Sequence, residues 1–226
     1  MFISTKKSLT DNLPRRSDSD ENITSDCNVS LEALTLIKVN TEVLAKQITL
    51  IEYKYFKAIK REELRSLKGN SINRKTEAPN VDEYIKWSNK LSCWVQDEIL
   101  REEKPSGRVE VLRKFLSVIH KLEELRNYSS IMALASATQV DCIYRLGIWN
   151  HLPSSDYRYH EYILDLIKPE SNFEKLREVI KNSNLKCIPF LGIYMKDLTY
   201  LGEMRSLTSQ SNTNTLTRAS SSVNCS

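Results

Sequence analysis

Apolar residues recur at every third or fourth position through the middle of this chain, and over no stretch do they alternate with polar ones as a half-buried strand requires. "NTEVLAKQITLIEYKYFKAI" places Val43, Leu44, Gln47, Ile48, Ile51, Tyr55 and Ile59 at that spacing, with Thr41 as the N-cap. "APNVDEYIKWSNKLSCWVQDEIL" opens on Pro79 with an Asn80 cap and aligns Val81, Tyr84, Ile85, Ser88, Leu91, Val95 and Ile99 along one face. "GRVEVLRKFLSVIHKLEELRN" continues the period through Val111, Leu112, Phe115, Ile119, Leu122 and Leu125. "YSSIMALASAT" is short, small-residue-rich and apolar on most sides, which suits a central helix closely packed by its neighbours. "YRYHEYILDLI" and "NFEKLREVIKN" predict two further amphipathic helices. The expectation is an all-α fold, one helical-bundle domain with short connections. "RSLKGNSINRKTEAPN" is its longest turn-rich break, inside a single core.

The flanks lack this pattern. Residues 1–28 are polar and of mixed charge, and read as a disordered arm; 206–226 are rich in Ser, Thr and Asn and read as a low-complexity tail. The domain is expected over 29–205.

Several function classes fall away. The 5 glycines assemble into neither a G-x-x-x-x-G-K nor a G-x-G-x-x-G loop, so no nucleotide cofactor site is expected. A net charge of +4, scattered and without interleaved aromatics, argues against nucleic acid. The 5 cysteines form no C-x-x-C and have no histidines at metal spacing. With no long apolar segment and no signal peptide, this odd count predicts a reduced, cytoplasmic protein, in which the sequons at Asn22, Asn28, Asn127 and Asn224 are chance. His120 reads as a residue near a helix's core face. His160 and Glu161 lack the second histidine of a zinc helix. The Glu pairs at 62–63, 102–103 and 123–124 read as solvated. No covalent or acid–base machinery is visible, so no enzyme of that kind and no cofactor or metal is expected.

What remains unexplained is "KCIPFLGIYMKDLTYLGE", an apolar helix at the near end of the domain with little after it to cover it. Taken singly, Ile85, Met132, Phe173 and Phe190 read as core.

A resemblance supplies another reading. "VLAKQITLIEYKYFKAIKREEL" resembles an A-x-Q-L-T-L-x-E block with a following aromatic and a downstream E-L. "APNVDEYIKWSNKLSCWVQDEIL" has the A-P-N opening, a helical Asn89 and W-V before E-I-L. "LEELRNYSSIMALASATQVDCIYRLGIWNHL" is similar to L-N-N-x-x-S-x-M-A-x-x-S-A-L followed by I-x-R-L. "SNFEKLREVI" and "CIPFLGIYMKDLTYL" resemble N-F-x-x-x-R and P-F-L-G-x-Y-L-x-D-L-T-F. In order, from about Thr41 to Leu201, these are the blocks of the RasGEF catalytic domain of Ras-family guanine-nucleotide exchange factors, with details leaning to the Ral/Rap-like branch. The family continues past its D-L-T-F block with a return helix and further helices. The polar stretch after Glu203 therefore reads as a domain incomplete at its C-terminus.

The resemblance implies a partner, a Ras-family small GTPase of Ras, Ral or Rap type, and through it proximity to a membrane. Such a GTPase holds GDP with a free energy on the order of −15 kcal/mol, the scale of picomolar affinity. A factor that prefers the nucleotide-free state weakens nucleotide binding by the same ratio, with no nucleophile. The resemblance assigns the wedge to a helix starting at Phe190, with Thr199 and Glu203 facing the magnesium and phosphate region. It assigns an apolar seat to Ile85, Met132, Phe173 and Phe190, and polar contacts to Lys86, Asn89, Gln139, Tyr144 and Asn172. Arg145 and Arg177 read equally as structural. The alternatives are a module that captures a GTPase without releasing nucleotide, and an all-α scaffold in which the seat residues are fully covered.

Overall fold

The computed structural model describes residues 36–66, 73–182 and 186–204, all within one unit of the chain, Thr35–Ser226. The expected arm and tail lie outside the described residues. Those residues are all-α: no strand occurs among them, and extended pairing is confined to an isolated parallel bridge between Asn127 and Ile188.

After a 3-10 turn (Leu36–Lys38), α1 runs Thr41–Ala58. Its N-cap is Asn40, not Thr41: the Asn40 carboxamide accepts from the amides of Glu42 and Val43 at 2.9 and 3.1 Å. Thr41 instead accepts from Lys114 Nζ at 2.9 Å. The inward face of α1 is Ala45, Ile48 and Glu52, and Val43, Gln47 and Ile51 are exposed. Of the expected face, Ile48 is buried and Leu44, Tyr55 and Ile59 are half-buried against the two clusters, so the inward side is shifted towards Ala45 and Glu52 and leaves out Val43, Gln47 and Ile51.

Two short helices, α2 (Arg61–Ser66) and α3 (Arg74–Glu77), lead into α4 (Pro79–Arg101). The N-cap of α4 is the buried Ala78, which has no side chain to offer, and Pro79 takes the first helical position. Asn80 lies inside the first turn and donates to Glu63 Oε1 at 2.5 Å. Glu63 is thus buried beside the N-terminus of α4, where a carboxylate is favoured by the helix dipole, and is not solvated.

α5 (Pro105–Glu124) and α6 (Tyr128–Ala137) complete the centre. Val111, Leu112, Phe115, Ile119 and Leu122 are buried, whereas Leu125, the C-cap, is exposed. His120 is also exposed, on the outer side of α5. Phe115 sits edge-on to Trp94 of α4 with ring centroids 5.0 Å apart, and burying a side chain of this size contributes roughly 2–3 kcal/mol. α6 is buried at every position but Ser136. Its small residues let α4 approach until Ser92 Oγ reaches the Ala133 carbonyl at 2.8 Å. α7 (Asp141–Tyr144), a 3-10 turn (Ile148–His151) and α8 (Ser154–Leu166) follow, and α8 packs on α5 and α6. α9 (Glu174–Asn182) and α10 (191–204) bring the chain back.

Candidate functional site

A buried polar network sets the relation of α1, α4 and α6. Glu52, fully buried, accepts from Trp87 Nε1 at 2.5 Å and Ser130 Oγ at 3.2 Å. Asn127 caps α6 through the Ser130 amide at 3.1 Å and donates to Ser130 Oγ and Thr49 Oγ1. Tyr84 donates to Ser129 Oγ at 2.6 Å; burial, and then the Glu52 carboxylate, push its hydroxyl far above the usual tyrosine range. Each helix meets the others through groups whose burial would be costly unpaired.

The segment before α10 is stapled to this frame. The Ile188 amide donates to the Arg126 carbonyl at 3.0 Å, and the Ile188 carbonyl accepts from the amides of Tyr128 and Ser129 at 2.9 and 3.3 Å. Arg126 adopts a left-handed φ of 54° to make this possible. Pro189 and Phe190 are therefore launched from the N-terminus of α6.

Phe190 and Leu191 diverge into separate apolar clusters. Phe190 packs on the main core and meets Phe173 edge-to-face, with centroids 5.7 Å apart. Leu191 is buried in a smaller cluster with Ala78, Val81 and Tyr84, flanked by Ile85 and Met195. The four expected seat residues thus divide: Met132, Phe173 and Phe190 belong to the main core and Ile85 to the smaller cluster. Met132 is nearly covered at 8%, while Ile85, Phe173 and Phe190 stay half-exposed, so the full burial a scaffold predicts is not met. Gly192 belongs to this packing, since a Cβ there would collide with Cζ of Phe190.

Phe173 is delivered by strained backbone. Ser171, Asn172 and Phe173 all take left-handed conformations, at φ 47°, 58° and 62°. For three successive non-glycine residues this costs of order 1 kcal/mol or more each and persists only when the surroundings enforce it. Arg177 and Asp197 enforce it. Arg177 Nε donates to the Asn172 carbonyl at 2.7 Å, and its two terminal nitrogens grip the Asp197 carboxylate on α10. Asn172 Nδ2 adds a bond to Asp197 Oδ1 at 3.3 Å. These donors, Arg177 foremost, hold the Asp197 carboxyl below its usual range. Arg177 is a clamp between the turn and α10, a role that the residue pattern left open.

The remaining residues are dispersed. Lys86 lies against Asp82 and Glu83 of its own helix at 2.9 and 2.7 Å, and Asn89 is exposed. Thr199 turns its hydroxyl back to the Met195 carbonyl at 3.0 Å, and Glu203 is exposed towards the end of α10. Gln139 and Tyr144 both line a 460 Å³ pocket, together with Trp149 and His160, whose rings stack with centroids 4.4 Å apart. His160 Nε2 lies 3.2 Å from Thr138 Oγ1, and burial lowers its pKa to about 4, so the ring is neutral. Glu123 accepts from the hydroxyls of Tyr159 and Tyr162 at 3.0 and 2.8 Å, another carboxylate that is not simply solvated. A second pocket of 520 Å³, lined mainly by apolar side chains, runs between Phe56, Ile59 and Leu64 on one side and Leu191, Tyr194 and Leu198 on the other. Among the described residues no group of His, Cys, Asp and Glu is placed to hold a metal. No helix among them is long and apolar enough to cross a membrane.

Comparison with known proteins adds the family. The RasGEF domain matches residues 43–225. Ras guanine nucleotide exchange factor Y of Dictyostelium discoideum is 34% identical over 161 residues, 71% of this chain and 11% of its own length. Ras-specific guanine nucleotide-releasing factor RalGPS1 of Gallus gallus is 38% identical over 168 residues, covering 74% of this chain and 29% of the relative. RalGPS2 of Homo sapiens is 35% identical over 193 residues, covering 82% and 33%. The chain spans a third or less of the length of these three relatives.

Proposed function

This chain belongs to the RasGEF family, and from that premise we propose that it promotes release of guanine nucleotide from a Ras-family GTPase, with α10 as the wedge. The reading is carried by one observation: the half-exposed Phe173–Phe190 pair lies at the root of a helix clamped by Arg177 and Asp197. Displacing a switch loop requires an element that does not yield when pushed. A floppy helix would move in place of the loop, and its ordering cost would be subtracted from the binding energy. The clamp and the Ile188 staple anchor α10 on two sides of its N-terminal half. The aromatic pair, with Ile85 beside Leu191, supplies the apolar surface against which one switch would rest. Thr199 and Glu203 lie further along α10, where the wedge would meet the nucleotide's phosphates. An acidic side chain there would compete with phosphate by like-charge repulsion. Lys86, Asn89, Gln139, Tyr144 and Asn172 are proposed as the polar surround.

The second reading is capture without release. It is favoured by Thr199, whose hydroxyl proton is engaged by the Met195 carbonyl, leaving the side chain only as an acceptor. One experiment separates the two. Release of a fluorescent GDP analogue is followed from purified Ras, Rap and Ral proteins, with the chain and with Phe190→Ala. Exchange predicts release from at least one GTPase, lowered at least tenfold by the substitution. Binding to nucleotide-free GTPase with no release selects capture, and neither binding nor release sinks both readings.

A further inference from the structure

The 460 Å³ pocket at Gln139 and Tyr144 is lined by aromatic rings and hydrogen-bond acceptors, and no lysine or arginine lines it. Tyr144, Trp149 and Tyr157 supply the rings, with His160 stacked on Trp149. Tyr144 and Tyr157 are 63% and 40% exposed, so burial within the fold does not account for them.

One hydroxyl fixes two of the acceptors. Thr138 Oγ1 donates its only proton to the Ala135 carbonyl at 2.7 Å, and a carbonyl gives none back. Towards His160 Nε2 at 3.2 Å and Gln139 Nε2 at 3.3 Å it therefore only accepts. His160 then carries its proton on Nε2, which leaves Nδ1 as an acceptor, and burial keeps the ring neutral. Gln139 turns its amide nitrogen to Thr138 and keeps its carbonyl oxygen as the other acceptor.

The third acceptor is charged. Glu161 takes the Tyr157 hydroxyl at 3.0 Å and has no ion-pair partner among the described residues. The arginines nearby in sequence do not supply one: Arg145 and Arg158 turn Nε to the Asp141 and Ser154 carbonyls of their own helices. Aromatic rings, neutral acceptors and an unpaired carboxylate meet in one pocket that lacks a cation.

We propose that this pocket binds a guanidinium group, the end of an arginine side chain on the GTPase. Guanidinium suits it on each count: it is planar, weakly hydrated, stacks on aromatic faces and has five donors to divide among acceptors. An ammonium would answer the carboxylate, but it is strongly hydrated and has no plane to stack. An anion or an apolar group would leave Glu161 desolvated and unpaired. The source of the guanidinium rests on the exchange reading, in which Gln139 and Tyr144 face the GTPase; the chemistry of the pocket does not.

The first test needs no GTPase. The Trp149 indole N–H resonance of the full chain is followed during titration with N-acetyl-arginine amide, and with N-acetyl-citrulline amide, which has nearly the same shape and no charge. The arginine probe is expected to shift the resonance saturably, and the citrulline probe to bind about tenfold more weakly. Glu161→Gln should weaken the arginine probe about tenfold and Tyr144→Ala severalfold. The control, Glu110→Gln on α5, removes the same charge elsewhere and is expected to stay within about twofold. All three positions are exposed, so melting temperatures should match the parent. No shift, equal binding of the two probes, or equal losses in Glu161→Gln and Glu110→Gln would overturn the site. The second test is binding to nucleotide-free Ras, Rap and Ral proteins, which Glu161→Gln should lower about tenfold. Unchanged binding would remove the GTPase as the source. Failure of the parent chain to bind any GTPase, with the arginine shift intact, would sink the exchange reading and leave the guanidinium site standing.

Discussion

Arg177 meets Asp197 as a fork: Nη1 lies 2.9 Å from Oδ2 and Nη2 2.8 Å from Oδ1, joining α9 to α10 across 20 residues of chain. The same guanidinium holds the Asn172 carbonyl, so one side chain controls both the strained turn and the helix proposed as the wedge.

Loss of this fork should loosen α10 without unfolding the bundle. Arg177→Lys keeps the charge and loses the paired geometry, and is expected to recover only part of the exchange lost in Arg177→Ala. The check is nucleotide-release rate beside binding to nucleotide-free GTPase: a positioning role lowers release more than binding, whereas general unfolding lowers both together.

Asp197 also carries a pH signature. Its folded pKa is depressed from 3.8, chiefly by Arg177, so its stabilisation is complete above that value and is lost as pH falls through the lowered folded pKa. Thermal melts of the parent and Asp197→Asn should therefore differ at neutral pH and converge in strong acid. The difference should be small, because the side chain is 38% exposed and solvent screens the pair.

His160 predicts a larger and separate acid dependence. Burial lowers its pKa from 6.5 to about 4, so between these values the unfolded chain binds a proton that the folded chain does not. Stability is full above 6.5, falls as pH drops towards 4 and then levels, for a total on the order of 3 kcal/mol. His160→Gln should flatten this part of the denaturation midpoint against pH; an unchanged slope would remove His160 as its source.

Gly192→Ala tests whether the aromatic pair needs its present geometry. The added methyl collides with the Phe190 ring, which also meets Phe173 edge-to-face. Release should fall towards the level of Phe190→Ala, with a stability cost of about 1–3 kcal/mol, the usual range for overpacking. Wild-type release would mean that Phe190 swings aside freely.

Ser171→Gly makes the opposite prediction. Ser171 is exposed and takes φ 47°, a conformation that glycine adopts without strain. The substitution should stabilise the domain by about 0.5–1 kcal/mol in chemical denaturation while leaving Phe173 in place. A destabilised variant would show that the turn is not strained at this residue.

Much of the architecture was legible in the residues. The three-to-four period foretold α4, α5, α6, α8 and α9, and the P-F-L-G and N-F-x-x-x-R blocks contain Phe190 and Phe173, whose rings meet in the fold. On α1 the period placed Leu44, Ile48, Tyr55 and Ile59 inward as found, but also counted Val43, Gln47 and Ile51, which are exposed, because it could not foresee the burial of Glu52. Glu63 read as solvated because its donor, Asn80, lies 17 positions away, and nothing in the local pattern marked Glu52 as buried, since its donors Trp87 and Ser130 lie 35 and 78 positions away.

The sequence by itself determined that the chain is helical and of the RasGEF family, because helical period and block order are local properties of neighbouring residues. Only the tertiary structure decided that Phe190 and Leu191 separate into two clusters, that three successive residues bear left-handed strain, and that Arg177 holds Asp197. Those outcomes depend on groups brought together across the fold, where desolvation is offset only if a partner from a distant helix arrives at hydrogen-bonding distance.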